Sequence, residues 1–436
     1  MKATVVGGGL AGCEAAWALA ERGIDVTLCE MRPVKTTPAH HSDRLAELVC
    51  SNTFKSVEPW NAHGLLKAEL RRLGSLLLCC ADRARVPGGS ALAVDRDLFS
   101  RAVHERVTAH ARITLVRDEV VEIPSPAVIA TGPLTSDSLA ATLSDRLGTG
   151  ALAFYDAIAP VVADESLDKS RLYALSRYGK GDSDDYLNAP MDRQGYGAFI
   201  EALAAADQFT AHEFDQVPYF EGCLPIEEMA RRGPETLRFG PLKPVGLPDP
   251  RTGRDPYAVV QLRREDRAGQ MWNLVGFQTR LRVPEQQRVF RMIPGLGSAE
   301  YLRYGSIHRN SYINTPASLS PALSLPDDEL VFLAGQMTGV EGYTESLGTG
   351  LLAGINLARR LGGLPAAVPP PTTMLGGLYR YLREAEPAHF QPMNANFGLL
   401  DPLDSAQGGG RVSKQRKREV LAERALADID AWMRTL

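Results

Sequence analysis

An α/β fold, with a parallel nucleotide-binding sheet interrupted by an inserted α+β domain, is what the sequence predicts, on three observations. The first is Ala3-Thr4-Val5-Val6 running into Gly7-Gly8-Gly9-Leu10-Ala11-Gly12 and then Glu14-Ala15-Ala16-Trp17-Ala18-Leu19, the order strand, glycine turn, helix. The second is Val128-Ile129-Ala130-Thr131-Gly132, an apolar strand ending in a glycine turn. The third is Leu330-Val331-Phe332-Leu333-Ala334-Gly335, followed after a loop by Gly348-Thr349-Gly350 and the small-residue helix Leu351-Leu352-Ala353-Gly354. Between the second and third, repeated Gly and Pro and alternating short strands mark an insertion of the kind that supplies a substrate wall.

In the first unit, Gly7 permits the tight turn, Gly9 lets a pyrophosphate approach the backbone and Gly12 lets the helix pack closely. The helix start, with Gly8, Leu10 and Ala11, offers N–H groups and a positive dipole end. A glycine turn alone is weak evidence; here the next strand, Asp25-Val26-Thr27-Leu28-Cys29, ends in Glu30, where a carboxylate accepts from a ribose 2′-OH and repels a 2′-phosphate. The nucleotide is therefore NAD or FAD. FAD is preferred because Val128 to Gly132 resembles the ATG signature of glutathione-reductase-like flavoproteins, and because a helix after Gly335 and Gln336 can face the flavin pyrimidine and stabilise a reduced, anionic ring. One more ordinary βα unit is the alternative.

The 436 residues, 44% hydrophobic, hold two to three domains. The divisions are 1–135 for the first part of the FAD-binding domain, 136–327 for the inserted substrate or RNA domain, 328–365 for the closing part and 366–436 for a helical, basic C-terminal segment. A formal charge of −4 excludes an indiscriminate nucleic-acid binder, so a polyanion must meet a local patch. Candidates are the run Arg411 to Arg418, with Arg263-Arg264 and Arg231-Arg232; a solvated helix face is the default for such runs, but the glycines before the five positive charges of the first run favour phosphate contact. The chain opens directly on a strand and no apolar run approaches about 18 residues, which predicts a soluble cytoplasmic protein with no membrane partner. Six cysteines are too few for a disulfide framework, and none forms a CxxC redox or zinc pair, so no metal is expected.

Two cysteines stand in unlike settings, Cys50 in Val49-Cys50-Ser51-Asn52 and Cys223 in Phe220-Glu221-Gly222-Cys223-Leu224-Pro225-Ile226-Glu227. With these strings, Glu30-Met31-Arg32-Pro33, Thr37-Pro38-Ala39-His40, Asn61-Ala62-His63-Gly64-Leu65-Leu66-Lys67-Ala68-Glu69, Gly240-Pro241-Leu242-Lys243-Pro244-Val245-Gly246-Leu247, Leu274-Val275-Gly276-Phe277-Gln278-Thr279 and Gly339-Val340-Glu341-Gly342-Tyr343, the chain resembles the TrmFO family from end to end. These are the folate- and FAD-dependent tRNA uracil-5-methyltransferases, relatives of the MnmG wobble-uridine flavoproteins. The glycine loop departs slightly, with Gly8 where alanine is frequent, and Ser51-Asn52-Thr53 replaces the more usual Ser-Asn-Ser.

The resemblance implies transfer of the one-carbon unit of 5,10-methylenetetrahydrofolate to C5 of uridine 54 in the tRNA T-arm, with reduced FAD carrying electrons from NADH or NADPH. Uracil C5 is a poor nucleophile until a thiolate adds at C6 and creates an enolate that attacks the methylene. The C5 proton must then leave to a base, the thiol must eliminate, and the exocyclic methylene must accept a hydride. Cys223 is assigned as the C6 nucleophile and Cys50 as the partner that removes the proton or assists activation; a buried structural thiol is the alternative for each. A flat pterin needs a ring to close over it, for which His308 and Tyr343 are the candidates, and both serve equally well as structural groups. Lys243 and Arg263 are candidates for folate glutamate or tRNA phosphate. Ribosomal RNA as the target, and a non-methylating RNA-binding flavoprotein, are the competing functions.

Overall fold

The structure, a computed structural model, describes residues 1–37, 39–148, 152–180, 185–209, 224–403 and 413–436, with the backbone alone for 152–158 and 307–311. Its first sheet runs in the spatial order Ser324–Leu325, Asp328–Leu333, Ala127–Ile129, Lys2–Val6, Asp25–Cys29, Ile113–Val116. All neighbours are parallel except the first pair. Val5, Leu28, Val128, Ile129 and Val331 are fully buried, as strands covered on both faces require.

The helices Leu10–Ala20 and Tyr343–Leu361 lie against one another, and glycine decides how closely. A β-carbon at Gly350 would stand 2.2 Å from the Ala11 carbonyl oxygen, and one at Gly354 would stand 2.6 Å from that of Ala15. The start of the first helix is thereby drawn against the middle of the second, at the carboxyl ends of the central strands, where ligands bind in such sheets.

The second sheet is antiparallel, in the order Tyr173–Ala174, Tyr186–Met191, Ala258–Arg264, Met271–Leu274, Val161–Ala163, Tyr301–Arg303. It has its own core, in which Phe199, Phe277 and Phe290 are fully buried. A ribbon of Leu152–Ile158 paired with Ser306–Tyr312 carries the chain out and back. The helix Asp137–Leu147 shares an apolar cluster with the first sheet, through Leu139 and Leu143 against Ile129 and Leu333. A small three-stranded sheet, Thr53–Ser56, Ala91–Val94 and Arg85–Val86, is inserted between the strands Asp25–Cys29 and Ile113–Val116 of the first sheet and frames the candidate site.

Towards the C-terminus, the helices Met374–Glu384 and Lys414–Met433 join the main core through Leu375, Leu421 and Ala425, beside Leu65, Leu66 and Leu70. Of the basic run, Arg411 and Val412 lie outside the described residues; Arg416 pairs with Glu419 and Glu423, and Arg418 sits 5.6 Å above the Phe397 ring. Among the described residues of the run, these two cations are engaged within the chain. Among the described residues no helix is long and apolar enough to cross a membrane, and no group of three His, Cys, Asp or Glu is placed to hold a metal.

Candidate active site

The glycine turn opens into a cleft lined by Gly7, Gly9, Glu30, Arg32, Thr131 and Ser136 among others. Gly7 takes φ +103, and its N–H donates to the Cys29 carbonyl at 2.8 Å. A β-carbon on Gly12 would lie 1.8 Å from the Gly7 oxygen, whereas one on Gly9 would meet nothing within 4 Å. The loop is thus closed against its own helix and open on the cleft side, which is the shape a pyrophosphate needs. Gly335, at φ +81, donates to Thr349 Oγ1 at 2.8 Å and faces the β-carbon of Ala11; Gln336 donates to Glu341 at 2.7 Å. Leu10 and Ala11 begin the helix itself.

Glu30 lines this cleft, but it also braces the loop. Its carboxylate accepts from Gly8 N–H at 2.9 Å, Arg32 N–H at 3.0 Å and Arg32 Nε at 2.9 Å. Burial by itself would raise its pKa, yet the Arg32 hydrogen bond and charge hold the carboxyl below its ordinary value. A carboxylate has about four acceptor positions, so one remains for a ribose hydroxyl. The cleft therefore fits an unphosphorylated adenine dinucleotide on the shape and charge of its own residues.

Cys50 sits half-buried on a loop that four elements hold. Tyr343, the first residue of the long helix, accepts at its hydroxyl from Cys50 N–H and Ser51 N–H, both at 3.0 Å, and donates to the Ser51 carbonyl at 3.0 Å. Arg96, at the start of the helix Arg96–Thr108, donates to the carbonyls of Leu48 at 2.6 Å and Cys50 at 3.3 Å, while its Nε pairs with Glu265 at 2.8 Å. Buried Asn52 donates to the carbonyls of Val94 at 3.1 Å and Arg264 at 2.9 Å, and accepts from Arg263 Nε at 3.1 Å. Lys67, fully buried, fastens the strand that follows by donating to the Phe54 carbonyl at 2.6 Å and the His63 carbonyl at 2.8 Å.

Two guanidinium groups, those of Arg96 and Arg303, stand near the Cys50 side chain. Burial and the charge of Arg96 press Arg303 down to about 10. Nε and Nη2 of Arg303 are buried without a hydrogen-bond acceptor, and its nearest carboxylate oxygen, on Glu265, is 4.0 Å away. Buried donors left unpaired are costly, so they invite an acceptor from a ligand.

Two expected results follow from these contacts. Tyr343→Phe leaves two loop N–H groups without an acceptor, costing about 1–3 kcal/mol; Cys50 should then alkylate faster, measured by peptide mass spectrometry. Arg96→Gln strands the Glu265 carboxylate and should cost about 3 kcal/mol. Adding Glu265→Gln should recover most of it, compared by thermal unfolding of the single and double variants.

Several family strings prove to be joints between elements. Asn61 caps the helix Ala62–Arg72, and a β-carbon at Gly64 would lie 2.0 Å from the Glu58 carbonyl oxygen. Buried Glu69 accepts from Met374 N–H at 2.7 Å and Leu375 N–H at 2.9 Å, so it caps a helix 305 residues away in sequence. Glu227 accepts from Thr279 Oγ1 at 2.8 Å and Arg280 N–H at 2.7 Å, joining the string after Cys223 to the one ending in Thr279. His63 meets Glu345 at 3.1 Å, and Thr37 meets His40 at 2.6 Å; Pro38 lies outside the described residues.

Not every expected residue is placed. Cys223 lies outside the described residues, although Ile226 N–H, three positions on, is fixed to the Gln278 carbonyl at 2.8 Å. His308 belongs to the strand Ser306–Tyr312, of which the backbone is described. Tyr343 has its ring 5.5 Å from that of Phe54 and its hydroxyl on the Cys50 loop. Arg263, expected to meet folate or phosphate, is instead buried on Asn52, because its strand runs under the Cys50 loop. Arg96, Glu265 and Arg303 were not foreseen; no local motif marks them, since they meet only when the inserted sheet folds back.

Residues 2–365 match the family model GIDA, described as Glucose inhibited division protein A. The chain is 58% identical over 435 residues to the methylenetetrahydrofolate–tRNA-(uracil-5-)-methyltransferase TrmFO of Geobacter sulfurreducens, covering 99% of both chains. It is 56% identical over 433 residues to the TrmFO of Pelobacter propionicus, covering 99% of this chain and 94% of that one. Among solved structures, Aquifex aeolicus GidA in its form II crystal matches with a TM-score of 0.70 at 16% identity, over 99% of this chain and 74% of that chain, a likeness of fold.

Proposed function

This chain belongs to the TrmFO family, and from that premise we infer that it transfers the one-carbon unit of 5,10-methylenetetrahydrofolate to C5 of a tRNA uridine, using FAD and NAD(P)H, with uridine 54 of the T-arm as the target. We place the reaction in the cytoplasm with its tRNA substrate. The observation that carries the reading is 58% identity over nearly the full length to a TrmFO protein, joined to a dinucleotide-shaped cleft and a cysteine loop held by Tyr343 and Arg96.

FAD would be held by Gly7 to Gly12, Glu30, Gly335 and Gln336, and when reduced it supplies the hydride that turns a methylene into a methyl group. The protein's own residues handle the nucleophile and the protons. Cys223 forms a bond to uracil C6, which moves an electron pair onto the C5–C4–O4 enolate; C5 then attacks the methylene carbon, whose bond to one of its two folate nitrogens breaks. Cys50, set beside Arg96, takes the C5 proton; the electron pair left on C5 expels tetrahydrofolate from the transferred carbon, and once the resulting methylene has accepted a hydride the thiolate leaves C6 and the ring regains its double bond. The unpaired donors of Arg303 are suited to a carbonyl oxygen of the bound ring systems. His308 is proposed as a stacking group for the pterin; Tyr343 positions Cys50 from its hydroxyl and lends its ring edge to the same wall.

The test is methyl transfer by the purified yellow protein, given labelled methylenetetrahydrofolate and NADPH, to unmodified tRNA and to ribosomal RNA. Label in 5-methyluridine of the T-loop is expected. Label in ribosomal RNA alone would move the target, and none in either, with FAD bound, would leave a non-methylating flavoprotein.

A further inference from the structure

Tyr178 is displayed in an unusual way. It adopts φ 58 and ψ 25, in the left-handed region that side chains with a β-carbon rarely enter, and it is 61% exposed. Its N–H donates to the Gly246 carbonyl at 3.1 Å, and its ring covers Gly246 so closely that a β-carbon there would lie 2.4 Å from a ring atom. The turn beneath is fastened by Arg177, which donates to the carbonyls of Val245 at 2.5 Å and Lys243 at 2.8 Å and to the Gln261 side-chain oxygen at 3.1 Å.

All three acceptors of Arg177 are neutral, so the guanidinium charge is anchored without being cancelled. Lys243 is exposed beside it, and neither cation has a carboxylate ion pair among the described residues. Asp255 acts on Arg177 across space without forming a salt bridge, so two cations free of ion pairs are set next to an aromatic ring with an open side. An ordinary solvated loop tip would place Gly or Asn at such a backbone position, at lower strain.

The location connects this feature to the chemistry. Gln261 and Arg263 lie two residues apart, hence on one face of the strand Ala258–Arg264. The first holds Arg177 and the second holds Asn52, two residues after Cys50. Lys180, two residues after Tyr178, pairs with Glu58 at 2.7 Å, on the segment that follows the Cys50 loop.

We propose that Tyr178, with Arg177 and Lys243, forms a stacking platform for an unpaired base of the RNA substrate beside the Cys50 loop. RNA sequences are read mainly where bases are unstacked and can lie on aromatic rings, with cations taking the neighbouring phosphates. A rigid, pre-strained ring pays less on binding than a mobile one. The proposal deepens the tRNA reading and rests on it.

The experiment measures equilibrium binding of an unmodified tRNA transcript and of a ribosomal RNA fragment to the FAD-loaded protein and its variants. Tyr178→Ala should weaken tRNA binding roughly 5- to 150-fold, the worth of one base–aromatic stack, and Tyr178→Phe, which keeps the ring, should bind as the unaltered protein does. Tyr178→Gly should bind as poorly as Tyr178→Ala while melting no lower than the unaltered protein, because glycine accepts the left-handed backbone. Lys243→Ala should reduce the salt dependence by about one phosphate contact. Unchanged binding by Tyr178→Ala, or a melting temperature that falls with affinity in Tyr178→Gly, would overturn the platform. If the unaltered protein itself prefers the ribosomal fragment, the tRNA reading fails instead, and the same variants on that fragment then decide the platform.

Discussion

Replacing Cys223 by Ala is expected to abolish methyl transfer while the purified protein stays yellow. No other group can take over the bond to uracil C6 in the assigned chemistry, because attack on that carbon needs a soft, easily expelled nucleophile, and the enolate at C5 exists only while the bond is present. FAD should be retained, since the cleft proposed to hold it is lined by Gly7, Gly9 and Glu30 of the first sheet and does not include the cysteine. The fold should also survive. Beyond the cysteine, Glu227 is locked by Thr279 and Arg280 and Ile226 N–H by the Gln278 carbonyl, so the chain is anchored without the thiol. Bound flavin is read from visible absorbance and methyl transfer from labelled nucleoside. Cys50→Ala should in contrast still form the covalent bond to a 5-fluorouridine-containing tRNA, because that step precedes removal of the C5 proton. Full methyl transfer by Cys223→Ala would remove it from the nucleophile role.

Gly12→Ala and Gly9→Ala should both lose FAD, for opposite reasons. At Gly12 the new methyl would lie 1.8 Å from the Gly7 oxygen, and that oxygen belongs to backbone whose N–H is bonded to Cys29, so nothing flexible can yield. The turn or the helix must move, and the expected product is poorly folded or melts far below the unaltered protein. At Gly9 no protein atom lies within 4 Å of the added carbon, so the empty fold should keep its melting temperature. What the methyl does occupy is the space a pyrophosphate enters, and the expected result is a stable, colourless protein. Thermal unfolding of flavin-free protein with and without added FAD separates the two. A yellow Gly9→Ala protein of normal affinity would mean that the phosphates lie elsewhere.

The sequence by itself determined the nucleotide-binding half and the family. Val5 to Gly12, Asp25 to Glu30 and Val128 to Gly132 are short, local patterns whose meaning comes from strand period, glycine geometry and the position of one carboxylate, and each occupies the expected place in the parallel sheet. Cys50 and Cys223 were singled out because the strings around them resemble a family. The roles of those strings were not legible. Glu69 caps a helix beginning at Met374, Lys67 fastens the strand after Cys50, and Arg263, charged and apparently free, is consumed by Asn52. Only the tertiary structure decided that Arg96, Glu265, Arg303 and Tyr343 converge on Cys50, from the helix after the small sheet, two strands of the insertion and the helix of the closing segment. The physical reason is that hydrogen bonds and ion pairs between residues 46 to 293 positions apart leave no period in the sequence. A polar side chain's partner is set by which elements the apolar core brings together, and that is known only once the two sheets are packed.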